Sequence, residues 1–235
     1  MYWENKPGKT MPTYLDLCLD TIKFHCQKDF DIILLNEKTV FDYLPDLRKD
    51  LNRLLIAQKT DYIRIKLLYT YGGIWMDTDT IVMKSLMPVI EKLKYYDFVG
   101  FGCSGTYCQN GHPYPSNQLL ACRKGSILFK SILQNLDRKL DQKKENYNYF
   151  DLGKKVIWEE LSKLRKANYE YYHYDSSFDG SRLKNKRWMR AEYYFNKDNE
   201  LLNENNLLVI FLANRDISGP SSRHNTYKNL FEQFL

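Results

Sequence analysis

The sequence predicts an α/β fold. Three features predict it. An apolar scrap, Met1-Tyr2-Trp3, opens the chain. A stretch of helical period follows a polar loop. Behind it comes Asp31–Asn36, a short apolar run rich in β-formers. Strand, loop, helix, strand is how alternating α/β proteins begin. At 235 residues the chain can build one sizeable core, and residues 1–235 are expected to form a single domain.

Each element has its own warrant. Met1–Trp3 suits a first strand, and Glu4–Pro12 reads as a polar loop around Pro7-Gly8. Thr13 and Asp16 have the spacing of a capping box. Leu15, Cys18, Leu19 and Ile22 then keep the helical period. A second helix is expected from about Leu51 to Tyr71. Leu51, Leu54, Leu55, Gln58, Tyr62, Ile65 and Leu68 fall roughly on one side of it, and Gly72-Gly73 stops it. Ile74–Val82 reads as a strand interrupted by acids, and Tyr96–Phe101 as a further strand. Gly102–Pro115 is rich in breakers and reads as a loop. Helices are expected over Ile127–Leu140 and Lys154–Lys166, with a last strand at Val209–Ala213. Tyr169–Tyr174 is dense in tyrosine and carries His173. It suits a sugar-stacking platform and a tyrosine-packed strand equally.

Composition narrows the function. Hydrophobic residues make up 43% and charged residues 27%, which excludes a disordered or collagen-like chain. No apolar run approaches a membrane span, and the N-terminus lacks the apolar segment of a signal peptide. The five cysteines, Cys18, Cys26, Cys103, Cys108 and Cys122, are odd in number and form no CxxC pair. A reducing compartment is the simpler expectation, hence a cytoplasmic protein. The net charge is +6, with a basic cluster at Arg182, Lys184, Lys186, Arg187 and Arg190. Such a cluster suits peripheral contact with an anionic membrane or an acidic partner. No zinc finger, RNP motif or helix-turn-helix stands beside it, so no nucleic acid is expected as a partner.

The chemistry-bearing stretch is Asp61 to Thr80. Asp77 and Asp79 are two apart, and in an ideal strand they share a face. Two carboxylates side by side repel unless a cation offsets them. Mn2+ or Mg2+ is the natural partner, because hard cations take carboxylate and phosphate oxygens. The plain alternative is a surface Asp-Thr-Asp turn. The apolar approach Ile74-Trp75-Met76 favours the metal reading, since ligands in open α/β sheets lie beyond strand ends.

Asp61 and Arg64 lie on one helix face amid Tyr62, Ile63, Ile65, Leu67 and Leu68. A charged pair in apolar company suits a ligand, with Arg64 for phosphate or sugar oxygens and Asp61 accepting from hydroxyls. An ordinary ion pair is the alternative. Gly72 and Gly73 can let backbone approach a ligand, or simply cap the helix. Ser218–His224 is a polar, breaker-rich loop. Returning over the site, it would bring His224 onto the cation and Arg223 to a diphosphate, with Ser221 and Ser222 as alternative oxygen ligands. The alternative there is a polar tail.

Taken together, Asp61-x-x-Arg64, Leu68-Tyr69 and Gly72-Gly73-Ile74-Trp75-Met76-Asp77-Thr78-Asp79 resemble the signature of sugar transferases with a DxD motif. These are the capsular polysaccharide synthesis proteins and the related glycosyltransferase family 32. Tyr2-Trp3-Glu4, the Asp31–Leu35 run and Asn117 with Leu119-Leu120-Ala121 extend the likeness over about residues 1 to 135.

The resemblance implies a GT-A fold, a Rossmann-like mixed sheet flanked by helices, binding a nucleoside diphosphate sugar and Mn2+ or Mg2+. Asp79 would be the main metal ligand, with Asp77 on the ribose or the metal. Asp61 would hold donor sugar hydroxyls, and Arg64 the donor sugar or its phosphate. Tyr2 or Trp3 would line the base pocket, and Asn117 would lie by the reacting centre. Residues 1–125 would then be the donor and metal portion, and 126–235 the acceptor side with a C-terminal lid. The implied reaction is transfer to a hydroxyl of a glycan or lipid-linked glycan, with retention of configuration. A nucleotide-sugar hydrolase or phosphotransferase is one alternative, and a nucleic-acid-binding protein is another.

Overall fold

The computed structural model describes residues 1–103, 114–144, 146–180 and 206–212. In chain order the elements are helices α1 (Tyr14–Cys26) and α2 (Val40–Tyr43), a 3-10 turn (Lys49–Arg53), helix α3 (Ile56–Tyr71), strands β1 (Gly73–Met76) and β2 (Thr80–Val82), and helix α4 (Met87–Lys92). Then follow strands β3 (Phe98–Cys103) and β4 (Tyr114–Cys122), helices α5 (Ile127–Asp141) and α6 (Lys154–Arg165), and strands β5 (Tyr172–Asp175) and β6 (Val209–Phe211). The architecture is α/β, as the sequence predicts. No helix among the described residues is long and apolar enough to cross a membrane.

The chain falls into two compact units. The first comprises Met1–Glu4, Leu34–Met76 and Val89–His173. It holds most of a four-stranded sheet in the order β1-β4-β3-β5. The β1–β4 and β3–β4 ladders of this sheet are antiparallel, with β1 paired to β4 from Gly73↔Cys122 to Met76↔Leu119. A single parallel bridge joins Tyr2 to Leu35, so the strand pairing is mixed.

The core of this unit forms where helix faces meet the sheet. On α5, Leu128, Phe129, Ile132, Leu136 and Leu140 are buried at helical spacing. Val156, Ile157 and Leu161 of α6 are buried too, as are Trp75, Phe98, Leu120 and Cys122 of the strands. Helix α3 goes further: residues 61 to 65 are all buried, so it has no solvent-facing side there. Any charge on that turn must find its partners inside the protein.

Pro115 lies in β4, a central strand, where a missing N–H should break a ladder. Two features accommodate it. Strand β1 pairs only with residues 119–122 of β4, and the β3–β4 register shifts between Gly100 and Gly102. A Cβ at Gly100 would stand 2.7 Å from Pro115 Cβ, so glycine there makes room for the proline ring.

The second unit is described over residues 5–33, 77–88, 174–180 and 206–212. Strands β2 and β6 pair antiparallel, Thr80↔Phe211 to Val82↔Val209, and α1 packs on β2. Thr21 of α1 ties the two, its hydroxyl accepting from the Val82 N–H at 3.1 Å.

Several expectations change. Thr13 has helical angles (φ −59°, ψ −29°) and makes no side-chain cap, so no capping box forms. The expected strands at Met1–Trp3 and Asp31–Asn36 reduce to the Tyr2–Leu35 bridge, with Ile33 and Leu34 exposed. The helix expected from Leu51 is broken: Leu54 (ψ 160°) and Leu55 (ψ 146°) are extended before α3 starts. Apolar spacing alone does not report such a break, because Leu51 is buried although it lies outside α3. Strand β4 begins inside the stretch expected to be loop. In the Tyr169–Tyr174 stretch, Tyr171 stacks on Phe98 at 5.3 Å and the Tyr169 hydroxyl donates to Asp97 at 2.8 Å. Those two rings serve packing. The basic cluster 182–190, the loop 218–224 with Ser221, Ser222, Arg223 and His224, and Cys108 lie outside the described residues.

Candidate functional site

In the first unit, α3 and β4 bring Asp61, Arg64 and Asn117 together. Asp61 and Arg64 follow each other by one helical turn and are each 5% exposed. Their side chains pair at 3.3 Å, Arg64 Nη2 to Asp61 Oδ1. The same Oδ1 accepts from Asn117 Nδ2 at 2.8 Å. Arg64 Nη1 donates to the Asn117 backbone carbonyl. On another side the Arg64 guanidinium lies 5.1 Å from the Trp75 ring centroid, a cation–π contact. The guanidinium is thus held by a carboxylate, a carbonyl and an aromatic ring. This is the arrangement that makes a buried charge tolerable. It leaves a carboxylate, an amide and a guanidinium in one spot, the groups that grip sugar hydroxyls and phosphate oxygens.

A residue that sequence reasoning missed belongs to this cluster. Gly153 is the N-cap of α6. A Cβ there would meet Asp61 Oδ2, with Asp61 Cγ at 2.8 Å and Asn117 Nδ2 at 3.0 Å. Nothing in the local sequence marks Gly153 beyond its being a helix boundary.

Tyr2 and Trp3 are placed by the bridge to Leu35, with Trp3 N–H donating to the Leu35 carbonyl at 2.9 Å. Tyr2 is buried in the core. Its hydroxyl donates to Glu4 Oε2 at 2.5 Å, and Lys59 Nζ holds the same oxygen at 2.8 Å. Burial, and then the Glu4 carboxylate, push the Tyr2 phenol far above its ordinary range. The Glu4 carboxyl sits below its ordinary value. Burial opposes that ionisation, but the Lys59 and Tyr2 hydrogen bonds outweigh it. Trp3 is half-buried.

Gly72 and Gly73 separate in role. Gly72 caps α3, its N–H donating to Leu68 at 2.8 Å, and its φ is +73°. A Cβ on it would stand 2.6 Å from the Lys124 backbone nitrogen, so the close approach is to the protein's own chain. Gly73 has φ +88° with open space where a Cβ would be.

In the second unit, Asp77, Thr78 and Asp79 form the turn between β1 and β2. They lie outside both strands, so the alternation of an ideal strand does not apply to them. Asp77 is half-buried, and Asp79 is 8% exposed between the buried threonines Thr78 and Thr80. Burial first, and then the Asp79 charge, push the Cys18 thiol well above its ordinary range. Among the described residues no cluster of three or more His, Cys, Asp and Glu could hold a metal ion. Two carboxylates are nonetheless the hard-oxygen donors that Mn2+ or Mg2+ takes, with phosphate oxygens and water completing the shell. Cys18, Cys26 and Cys122 are free thiols.

Residues 12–96 match the family model of the glycosyltransferase sugar-binding region containing a DXD motif. Asp61, Arg64, Gly72, Gly73, Asp77 and Asp79 all fall inside the match. This stretch is similar to the DXD-containing sugar-binding region of glycosyltransferases. No curated protein matches the sequence. Solved structures similar to the chain include the PaToxG glycosyltransferase, 16% identical with a TM-score of 0.46, covering 71% of this chain and 71% of that one. Another is the apo-form glycosyltransferase GlyE of Streptococcus pneumoniae TIGR4, 12% identical with a TM-score of 0.46. That likeness covers 94% of this chain and 59% of GlyE.

Proposed function

We propose that the protein is a glycosyltransferase of GT-A type. It moves a sugar from a nucleoside diphosphate sugar to a hydroxyl of a glycan or lipid-linked glycan, with retention of configuration. The observation that carries this is the buried Asp61–Arg64–Asn117 cluster within and beside the sugar-binding region. A charged pair costs several kcal/mol per ion to desolvate. A helix turn with no exposed side needs a reason to keep it, and recognition of a polyhydroxyl, anionic donor is such a reason.

In this reading Asp61 accepts from the donor sugar hydroxyls, and Arg64 donates to the sugar or its phosphate. Asn117 fixes the Asp61 carboxylate and lies near the reacting carbon. Asp77 and Asp79 hold Mn2+ or Mg2+, and Trp3 and Tyr2 border the base. A bound ion would stabilise the diphosphate as charge grows on it. Arg64, fixed beforehand by three partners, supplies the same kind of stabilisation without reorganising. Residues 1–125 then serve donor and ion, and 126–235 the acceptor side, with His224 completing the metal shell. A cytoplasmic protein resting on an anionic membrane fits the basic cluster at 182–190.

The test is a thermal-shift screen of uridine and guanosine diphosphate sugars with Mn2+, on the wild type and Asp79→Asn. Ligand at 100 times its dissociation constant stabilises by about 2.7 kcal/mol. For a chain of this size that raises Tm by roughly 5–10 °C. Asp79→Asn should keep the ligand-free Tm within a few degrees and lose the Mn2+-dependent rise. If no nucleotide sugar shifts the wild type and none is consumed with any glycan acceptor, the proposal fails.

A further inference from the structure

We infer that Gly153 is a positioning residue for the donor sugar. The missing side chain of this helix cap sets where the Asp61 carboxylate stands. The inference rests on the proposed role of Asp61 in holding sugar hydroxyls.

The constraint is steric. Asp61 is fixed on one side by Asn117 Nδ2 at 2.8 Å and Arg64 Nη2 at 3.3 Å, both on Oδ1. Its other oxygen, Oδ2, faces Gly153. Gly153 itself is buried, with φ −109° and ψ −118°. There is no room beside it for a side chain. A Cβ would have Asp61 Cγ at 2.8 Å and Oδ2 closer still, against ordinary contact from 3.4 Å upward, and Asn117 Nδ2 at 3.0 Å. Both groups that clash belong to the sugar-gripping cluster.

Neither can yield without breaking a contact. Asp61 sits on a helix turn buried on every side, and its retreat stretches the bonds to Asn117 and Arg64. Gly153 is anchored as well. Its carbonyl accepts from the Val156 N–H at 3.1 Å, and the next residue, Lys154, has its ammonium 3.9 Å from the Phe150 ring centroid. The start of α6 therefore acts as a wall for the carboxylate, and glycine sets the wall's distance. Alanine would move the carboxylate by roughly 1 Å, a misplacement that can cost about 100-fold in turnover efficiency.

The experiment is Gly153→Ala, alone and combined with Asp61→Ala, in the full chain. The ligands are the nucleotide sugar that stabilises the wild type and the matching sugar-free nucleoside diphosphate. Calorimetry with Mn2+ should show Gly153→Ala weakening the nucleotide sugar by about 10- to 100-fold. Affinity for the nucleoside diphosphate, which has no sugar for Asp61 to hold, should stay within about twofold of wild type. A general structural defect would weaken both ligands alike and overturn the inference.

In the Asp61→Ala background the added alanine should cost little further affinity or stability, because the carboxylate it strikes is gone. An undiminished cost there would mean that the backbone of α6, not Asp61, resents the substitution, and would also overturn it. Should the double variant fail to fold, a crystal structure of Gly153→Ala decides. A displaced Asp61 carboxylate supports the inference, and an unmoved one ends it. A wild type that binds no nucleotide sugar removes the proposed function first, and the positioning role with it.

Discussion

Arg64 shows how burial changes what a single residue is expected to do. As an i,i+3 surface pair with Asp61 it would contribute a few tenths of a kcal/mol. Inside the protein it serves Asp61, the Asn117 carbonyl and the Trp75 ring at once. Lysine keeps the charge but has no planar fork, so Arg64→Lys cannot keep all three. Leaving one of these buried groups unsatisfied costs about 1–3 kcal/mol. The variant should therefore lose roughly 2–12 °C in Tm as well as donor affinity. Scanning calorimetry beside donor titration checks both, and unchanged values in each would refute the stabilising and ligand roles of Arg64. The pair itself is legible in the sequence, because five apolar or aromatic neighbours leave it nowhere to face solvent. Its third member, Asn117, is legible only through the family likeness. Gly153 is not legible at all, since no periodicity links a helix cap to a carboxylate on another helix.

At the scale of elements, the two glycines after α3 make a direct comparison. Gly72 combines φ +73° with the Lys124 backbone at 2.6 Å, whereas Gly73 has φ +88° and open space. Alanine at 73 meets only backbone strain, about 1–2 kcal/mol. Alanine at 72 adds a clash with backbone that cannot rotate away, so Gly72→Ala should be the more destabilising by at least about 1 kcal/mol. Urea midpoints of the two variants check the order, and a Gly73→Ala protein less stable than Gly72→Ala would refute it. The sequence marks the pair as a helix stop and leaves open whether either glycine meets a ligand. The structure gives Gly72 a neighbour in its own chain. A similar limit applies at Asp77–Asp79. The apolar run before them predicts a strand, and β1 is there, but the chain turns at the acids before β2 begins.

For the molecule as a whole, acid should be the weak side. Glu160 of α6 is buried and accepts from Asn135 Nδ2 at 2.6 Å and Ser131 Oγ at 2.5 Å on α5, and from Lys163 at 2.6 Å. Burial works against its charge, yet these donors outweigh burial and hold its carboxyl below the ordinary value. Glu4, between Lys59 and Tyr2, is held low as well. A carboxyl whose folded value lies below its unfolded one, about 4.3 for glutamate, contributes its full stability above that value. The contribution is lost as pH falls through the folded value. Stability should therefore be flat between about pH 5 and 7 as far as these groups decide it, and fall below about pH 4.3. Glu160→Gln should lower stability near neutrality by about 1–3 kcal/mol and make the acid limb shallower. Urea midpoints measured from pH 7 to pH 3 check this, and an acid limb of unchanged slope in the variant would count against it.

The sequence by itself determined the α/β class, helices α5 and α6 nearly to their ends, the stop after α3, and the burial of the Asp61–Arg64 pair. These rest on local period, on breaker residues and on charge in apolar company, all of which act over a few residues. Only the tertiary structure decided that Asp31–Asn36 is not a buried strand, that Leu54 and Leu55 are extended, and that Pro115 lies in β4. It alone set Gly153 against Asp61. Strand partners, extended breaks and steric room are fixed by groups far away in the chain, and the packing that brings those groups together leaves no local pattern to read.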